Sequence, residues 1–95
     1  MIGKGVMVYK DGRREDIVID EIWHYYANPD EIALIEFHTD TDTYQYKRDI
    51  NEKEYAVSSR PVHYYMASYS FYNVSKGEYV VNDIDHIEIP DNLLN

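Results

Sequence analysis

The clearest pattern in the chain runs from Ile32 to His38, where Ala33, Ile35 and Phe37 fall on one side of a period of two and Leu34, Glu36 and His38 on the other. Successive side chains of a β-strand point to opposite faces, so this spacing predicts a strand with one face turned to a core. Similar alternation recurs before it. Val6 to Lys10 predicts a short strand ending at Asp11-Gly12, read as a two-residue type I′ turn. Arg13 to Ile19 returns from that turn with Ile17 and Ile19 on one face and Val18 on the other. Ile22 to Ala27 is read as a strand; the competing short helix, capped by Asp20 and stopped by Asn28-Pro29, is disfavoured because Trp23, Tyr25 and Tyr26 are poor helix formers. Asn28-Pro29-Asp30 is a turn.

Beyond the polar loop Thr39 to Thr43, Tyr44 to Ile50 predicts the returning strand, with Tyr44 and Tyr46 on one face. Asn51 to Arg60 is the most polar connector, able to hold one helical turn. Val62 to Asn73 reads as one long aromatic strand with a bulge, turned back at Lys76-Gly77 into Glu78 to Asn82. Ile87 to Ile89 closes the sheet before Pro90. Three strand–turn–strand units, ending at Glu21-Ile22, Asp49-Ile50 and Asp83-Ile84, echo one another as successive hairpins. The expected fold is all-β, with at most one short helix: an antiparallel meander of about six or seven strands, forming a curled sheet or an SH3-like, partly closed barrel.

Composition strengthens this reading. Ile and Val number 18 against three Leu and four Ala, a balance that suits a pleated surface better than a helix. A chain of 95 residues makes one domain, here residues 1–90 with a tail at 91–95. The lack of cysteine removes disulfides, thiolate catalysis and zinc–cysteine sites. No apolar run approaches the ~20 residues that span a bilayer, and the N-terminus has no secretion-type core, so the expected setting is cytoplasmic, away from membranes.

Charge changes the picture more. The net charge is −9, and Glu15 to Tyr46 carries nine acidic side chains without a Lys or Arg. Such a surface repels nucleic acid and suits a basic partner. The only basic cluster, Lys10, Arg13 and Arg14, lies among Asp11, Glu15 and Asp16.

Chemistry-bearing motifs are weak. His38-Thr39-Asp40-Thr41-Asp42 could converge on a divalent ion along one strand face, but a calcium loop counted from Asp40 meets Gln45 and Asn51 where Gly and Glu are required. Asp83-Ile84-Asp85-His86 is read as edge-strand charge with Ile84 in the core. No metal and no cofactor are expected. No serine sits in a nucleophile elbow, no glycine-rich phosphate loop exists, and the chain is not expected to be an enzyme.

Fourteen aromatic residues exceed what a small core readily absorbs, so some rings are expected outside, Trp23, Tyr65, Tyr69 and Tyr72 first among them. The leading expectation is a non-catalytic acidic inhibitor that docks on a basic surface of a nucleic-acid-handling protein such as a nuclease, in the style of a phage or mobile-element product acting against host defence. Asp30, Glu31, Glu36, Asp40 and Asp42 would make the electrostatic contacts, and Trp23, Tyr25, Tyr65 and Tyr69 the aromatic anchors. Two other classes compete. One is a nucleotide-sequestering homo-oligomer that meets phosphates through Arg13, Arg14, Lys47, Arg48 or Arg60; the other is an assembly protein, a homodimer included, whose aromatic face is its own interface.

Overall fold

The fold is that of a computed structural model, which describes residues 1–27, 31–47, 56–59, 62–66, 71–80 and 83–94. Among these residues there are nine strands: β1 (Gly3–Tyr9), β2 (Arg14–His24), β3 (Ile32–His38), β4 (Thr43–Lys47), β5 (Ala56–Ser59), β6 (Val62–Met66), β7 (Phe71–Asn73), β8 (Glu78–Tyr79) and β9 (Ile84–Pro90). They build one sheet in the order β5-β6-β9-β1-β2-β3-β4-β7-β8, every neighbouring pair antiparallel. The all-β, antiparallel curled sheet expected from the alternation is therefore present. Among the described residues the only helical element is the 3-10 turn Asp91–Leu93, and no helix is long and apolar enough to cross a membrane.

The period of two explains the core. Met7, Ile17, Ile19, Ile35, Phe37, Tyr44, Tyr46, Phe71, Ile87 and Ile89 all take inward positions and are buried. Register joins them across strands: Ile19 faces Phe37, which faces Tyr44, and Ile35 faces Tyr46, which faces Phe71. Aromatic packing links the far ends. Phe37 stacks on Tyr44 with centroids 5.3 Å apart, and Tyr46 meets both Phe71 (5.6 Å) and Tyr65 (5.2 Å) edge-on.

Three irregularities bend the sheet into a half-barrel. The pairing shifts between Ile19 and Glu21, between Trp23 and His24, and between Val8 and Tyr9. A bulge adds one residue on one side of a ladder and increases the local twist, which is what curling requires. The second shift leaves Ala33 as the extra residue, so Ile32, not Ala33, is buried with Ile35 and Phe37. Gly5 lets β9 approach β1: a Cβ there would stand 2.6 Å from the Glu88 carbonyl oxygen.

Local chemistry makes the hairpins. The Tyr9 N–H donates to the Arg13 carbonyl and the Gly12 N–H to the Tyr9 carbonyl, both at 2.9 Å, with Gly12 at φ 90°. The β1–β2 loop thus has three residues and a left-handed glycine at its end, not the two-residue turn expected at Asp11-Gly12. The reason is that Lys10 leaves the ladder too and bonds to the Asp83 carbonyl. The turn at Lys76-Gly77 is as expected, with Gly77 at φ 70° and its N–H on the Asn73 carbonyl.

Chain order and space diverge after β4. The segment 62–73, expected as one bulged strand, is two strands on opposite sides of the sheet: β6 pairs with β9, and β7 with β4. The polar connector 51–60 contributes the edge strand β5, and β9 lies inside the sheet between β6 and β1. Leu93 and Leu94, in the segment read as a tail, pack against the core. The turn expected at Asn28-Pro29-Asp30 and the end of the strand expected to Ile50 lie outside the described residues.

Candidate partner-binding face

The convex side of β2 and β3 carries the carboxylates. The bulge at Asp20 places Glu21 directly opposite Glu36, with Gln45 of β4 next in the row. Trp23 stands two residues along the same face, opposite Leu34, and is 59% exposed. Tyr26, just beyond β2, is fully exposed. Asp16 and Asp40 border a shallow depression of about 170 Å³ together with Lys4, Val18 and His38. The Asp20 carboxylate accepts from His38 Nδ1, 2.7 Å away. Five carboxylates therefore share this face, with Lys4 at one side and Lys47, opposite Leu34, at the other.

The neighbouring convex surface of β9 and β1 is different. Arg14 holds Glu88 through two hydrogen bonds of 2.8 and 3.1 Å. His86 sits between Asp85 (2.7 Å) and Glu88 (3.1 Å). The Arg14 guanidinium is the main reason the Glu88 carboxyl lies below its ordinary range, aided by His86 and opposed by burial. The carboxylates here are engaged by Arg14 and His86, whereas Glu21 and Glu36 oppose each other directly. Asp83, Asp85 and His86 do not assemble with a further ligating side chain into a metal-type cluster among the described residues.

The expected contact residues separate into groups. Glu36, Asp40 and Trp23 lie on or beside the acidic face. Glu31 and Tyr25 are half-buried at its end, where the Tyr25 N–H donates to the Glu31 carbonyl at 3.1 Å. Asp42 turns away from it and accepts from the Asn73 side-chain amide at 3.0 Å. Tyr65 is a correction: expected as an exposed anchor, it is 2% exposed, because the curled sheet encloses a core wide enough to take its ring against Tyr46. Tyr72 is half-buried and meets the exposed Tyr79 edge-on at 5.1 Å. Asp30 and Tyr69 lie outside the described residues, as do Arg48 and Arg60.

Asp16, Asp20 and Glu21 were not singled out from sequence. The signal for Glu21 was present, since it and Trp23 share a strand face at spacing two. Its opposition to Glu36 depends on the bulge, which the sequence does not announce. Arg14, a phosphate-binding candidate in the nucleotide reading, is engaged by Glu88, and the Arg13 guanidinium lies over the Tyr9 ring at 3.9 Å.

Comparison with protein-family models, with curated proteins and with solved structures finds no match to this chain.

Proposed function

We propose that this is a non-catalytic binding protein whose acidic convex face docks on a basic surface of another protein, a nucleic-acid-handling protein being the class that offers such a surface. The observation that carries the reading is the direct pairing of Glu21 with Glu36 beside the exposed Trp23. Like charges directly opposite on neighbouring strands oppose folding, and no Lys or Arg stands between these two in the ladder. A cationic partner converts that repulsion into attraction, steers the encounter, and leaves Trp23 to be buried as an anchor. Occupation of a site that otherwise holds phosphates makes the protein an inhibitor of its partner.

The test is capture of an identified basic partner at low and high salt, followed by competition with duplex DNA. Capture that weakens with salt, is lost in Glu21→Lys/Glu36→Lys, and is displaced by DNA supports the reading. Capture that is insensitive to salt and to both reversals overturns it, and self-association of the purified chain without a foreign protein favours an assembly role instead.

A further inference from the structure

The concave side of the sheet opens, between the β1–β2, β3–β4 and β7–β8 turns, into a cavity of about 330 Å³. One of its charged groups is out of place for a core strand. Glu15 takes an inward position opposite Met7, in a row that continues through the buried Ile87 to the buried Tyr65. A carboxylate that breaks the inward apolar pattern conflicts with packing, and such conflicts concentrate where a protein does something other than fold.

The groups around Glu15 form an ordered lining. The Tyr9 hydroxyl donates to Glu15 Oε1 at 2.5 Å, and Arg13 covers the Tyr9 ring from outside. Across the cavity, the buried Asn73 amide fixes Asp42 at 3.0 Å, beside the buried ring of Tyr44. Ile84 and Val80, one buried and the other packed against the core, supply an aliphatic wall. Glu78 and Asp83 add two carboxylates to the lining, against which stand the cations Arg13 and Lys76. Four carboxylates and two cations leave the cavity net negative, and its volume lies at the lower end of the ligand-site range, about 300–1,000 Å³.

We propose that this cavity is a binding site for a small organic cation, an alkylammonium or guanidinium compound. Its charged head lies between Glu15 and Asp42, and its carbon chain lies along Ile84 and Val80. Carboxylates satisfy the head's N–H groups, while the Tyr9 and Tyr44 rings, held by Arg13 and by Phe37, form the fixed walls beside it. An anion of the same size meets Glu15 and Asp42 first and is repelled. The site is separate from the convex face, so it stands or falls independently of the partner proposed above.

The experiment is titration of the full chain with 1,4-diaminobutane and with agmatine, followed by backbone and side-chain NMR, with succinate and calcium chloride as contrasting probes. The expected result is saturable shifts centred on Tyr9, Glu15, Asp42, Tyr44 and Asn73 with either amine. Affinity should fall at least about tenfold in Glu15→Gln and in Asp42→Asn, while Glu36→Gln on the convex face leaves it unchanged. Asp83→Asn, at an exposed position, gives a weaker version of the same loss if either deeper variant unfolds. Failure of both amines to saturate, shifts mapping elsewhere, equal binding of succinate, or response to calcium alone would each overturn the proposal.

Discussion

The ring of Tyr46 in β4 meets the ring of Tyr65 in β6 edge-on at 5.2 Å, although four strands separate β4 from β6 in the sheet. A flat sheet would hold strands that far apart at about 24 Å, five spacings of roughly 4.8 Å. The contact is therefore a direct measure of the curl, and the two rings close the core.

Removing this contact should weaken the whole domain. Tyr65→Ala is expected to destabilise by about 3–5 kcal/mol in denaturant unfolding, as for other large aromatic truncations. A double-mutant cycle with Tyr46→Leu and Tyr65→Leu should give a coupling of about 0.5–1.5 kcal/mol. Additive single effects would mean that the rings do not touch in solution.

The two glycines Gly5 and Gly12 should fail for different reasons. At Gly5 the obstacle is the Glu88 carbonyl 2.6 Å from any Cβ, whereas at Gly12 there is open space and the obstacle is φ 90°. Gly12→Asn should accordingly be milder than Gly12→Ala, because Asn tolerates the left-handed region. Gly5→Asn should be worse than Gly5→Ala, which already forces the β1–β9 backbones apart at about 1–3 kcal/mol. Thermal unfolding of the four variants tests the ordering.

Glu36→Gln should stabilise the protein while weakening capture of the proposed basic partner. Relieving the opposition to Glu21 is worth about 0.2–1 kcal/mol at low salt, and the gain should shrink as salt screens the pair. Asp40→Asn, at an exposed turn without an opposing carboxylate in the ladder, should show no comparable gain. Equal stabilisation by both would point to net charge alone.

Acid sensitivity should centre on Glu88. Its carboxyl lies below the ordinary 4.5 chiefly because of Arg14, so the folded state holds the proton less tightly than the unfolded chain does. That contribution is complete above about pH 4.5 and is lost as pH falls through the lower, folded-state value. Unfolding followed against pH should show a shallower acid limb in Glu88→Gln than in the parent.

At the alkaline end, Tyr9 and Tyr44 should resist ionisation. Burial is the main cause for both, reinforced by Glu15 at Tyr9 and by Asp42 and Glu15 at Tyr44, and each phenol lies above its ordinary 10.0. Their contribution is fully present below about pH 10 and is lost as pH rises through the folded-state values. Tyrosinate absorbance should contain a late fraction that moves to lower pH in Glu15→Gln.

The concave aromatic row was legible because residue type and spacing alone determine a strand's two faces. Ile17 with Ile19, Ile35 with Phe37, and Tyr44 with Tyr46 each read correctly, as did the positions of the chain reversals at Asp11-Gly12, Thr39–Thr43 and Lys76-Gly77, though not the length of the first. The acidic bias of the β2–β3 region was equally plain, since charge is a property of composition. Side-chain alternation and net charge are local quantities, and they survive without knowledge of what a strand lies beside.

What lies beside each strand was decided only by the tertiary structure. The separation of β6 from β7, the insertion of β9 next to β1, and the burial of Tyr65 all depend on contacts between distant segments. The candidate face depends on register: one extra residue at Asp20 brings Glu21 against Glu36, and a slip of one would have sent one of them to the other face. Glu15, Asp42 and Asn73 meet in one cavity for the same reason, drawn together by a curl that arises from bulges and long-range packing rather than from any motif in the chain.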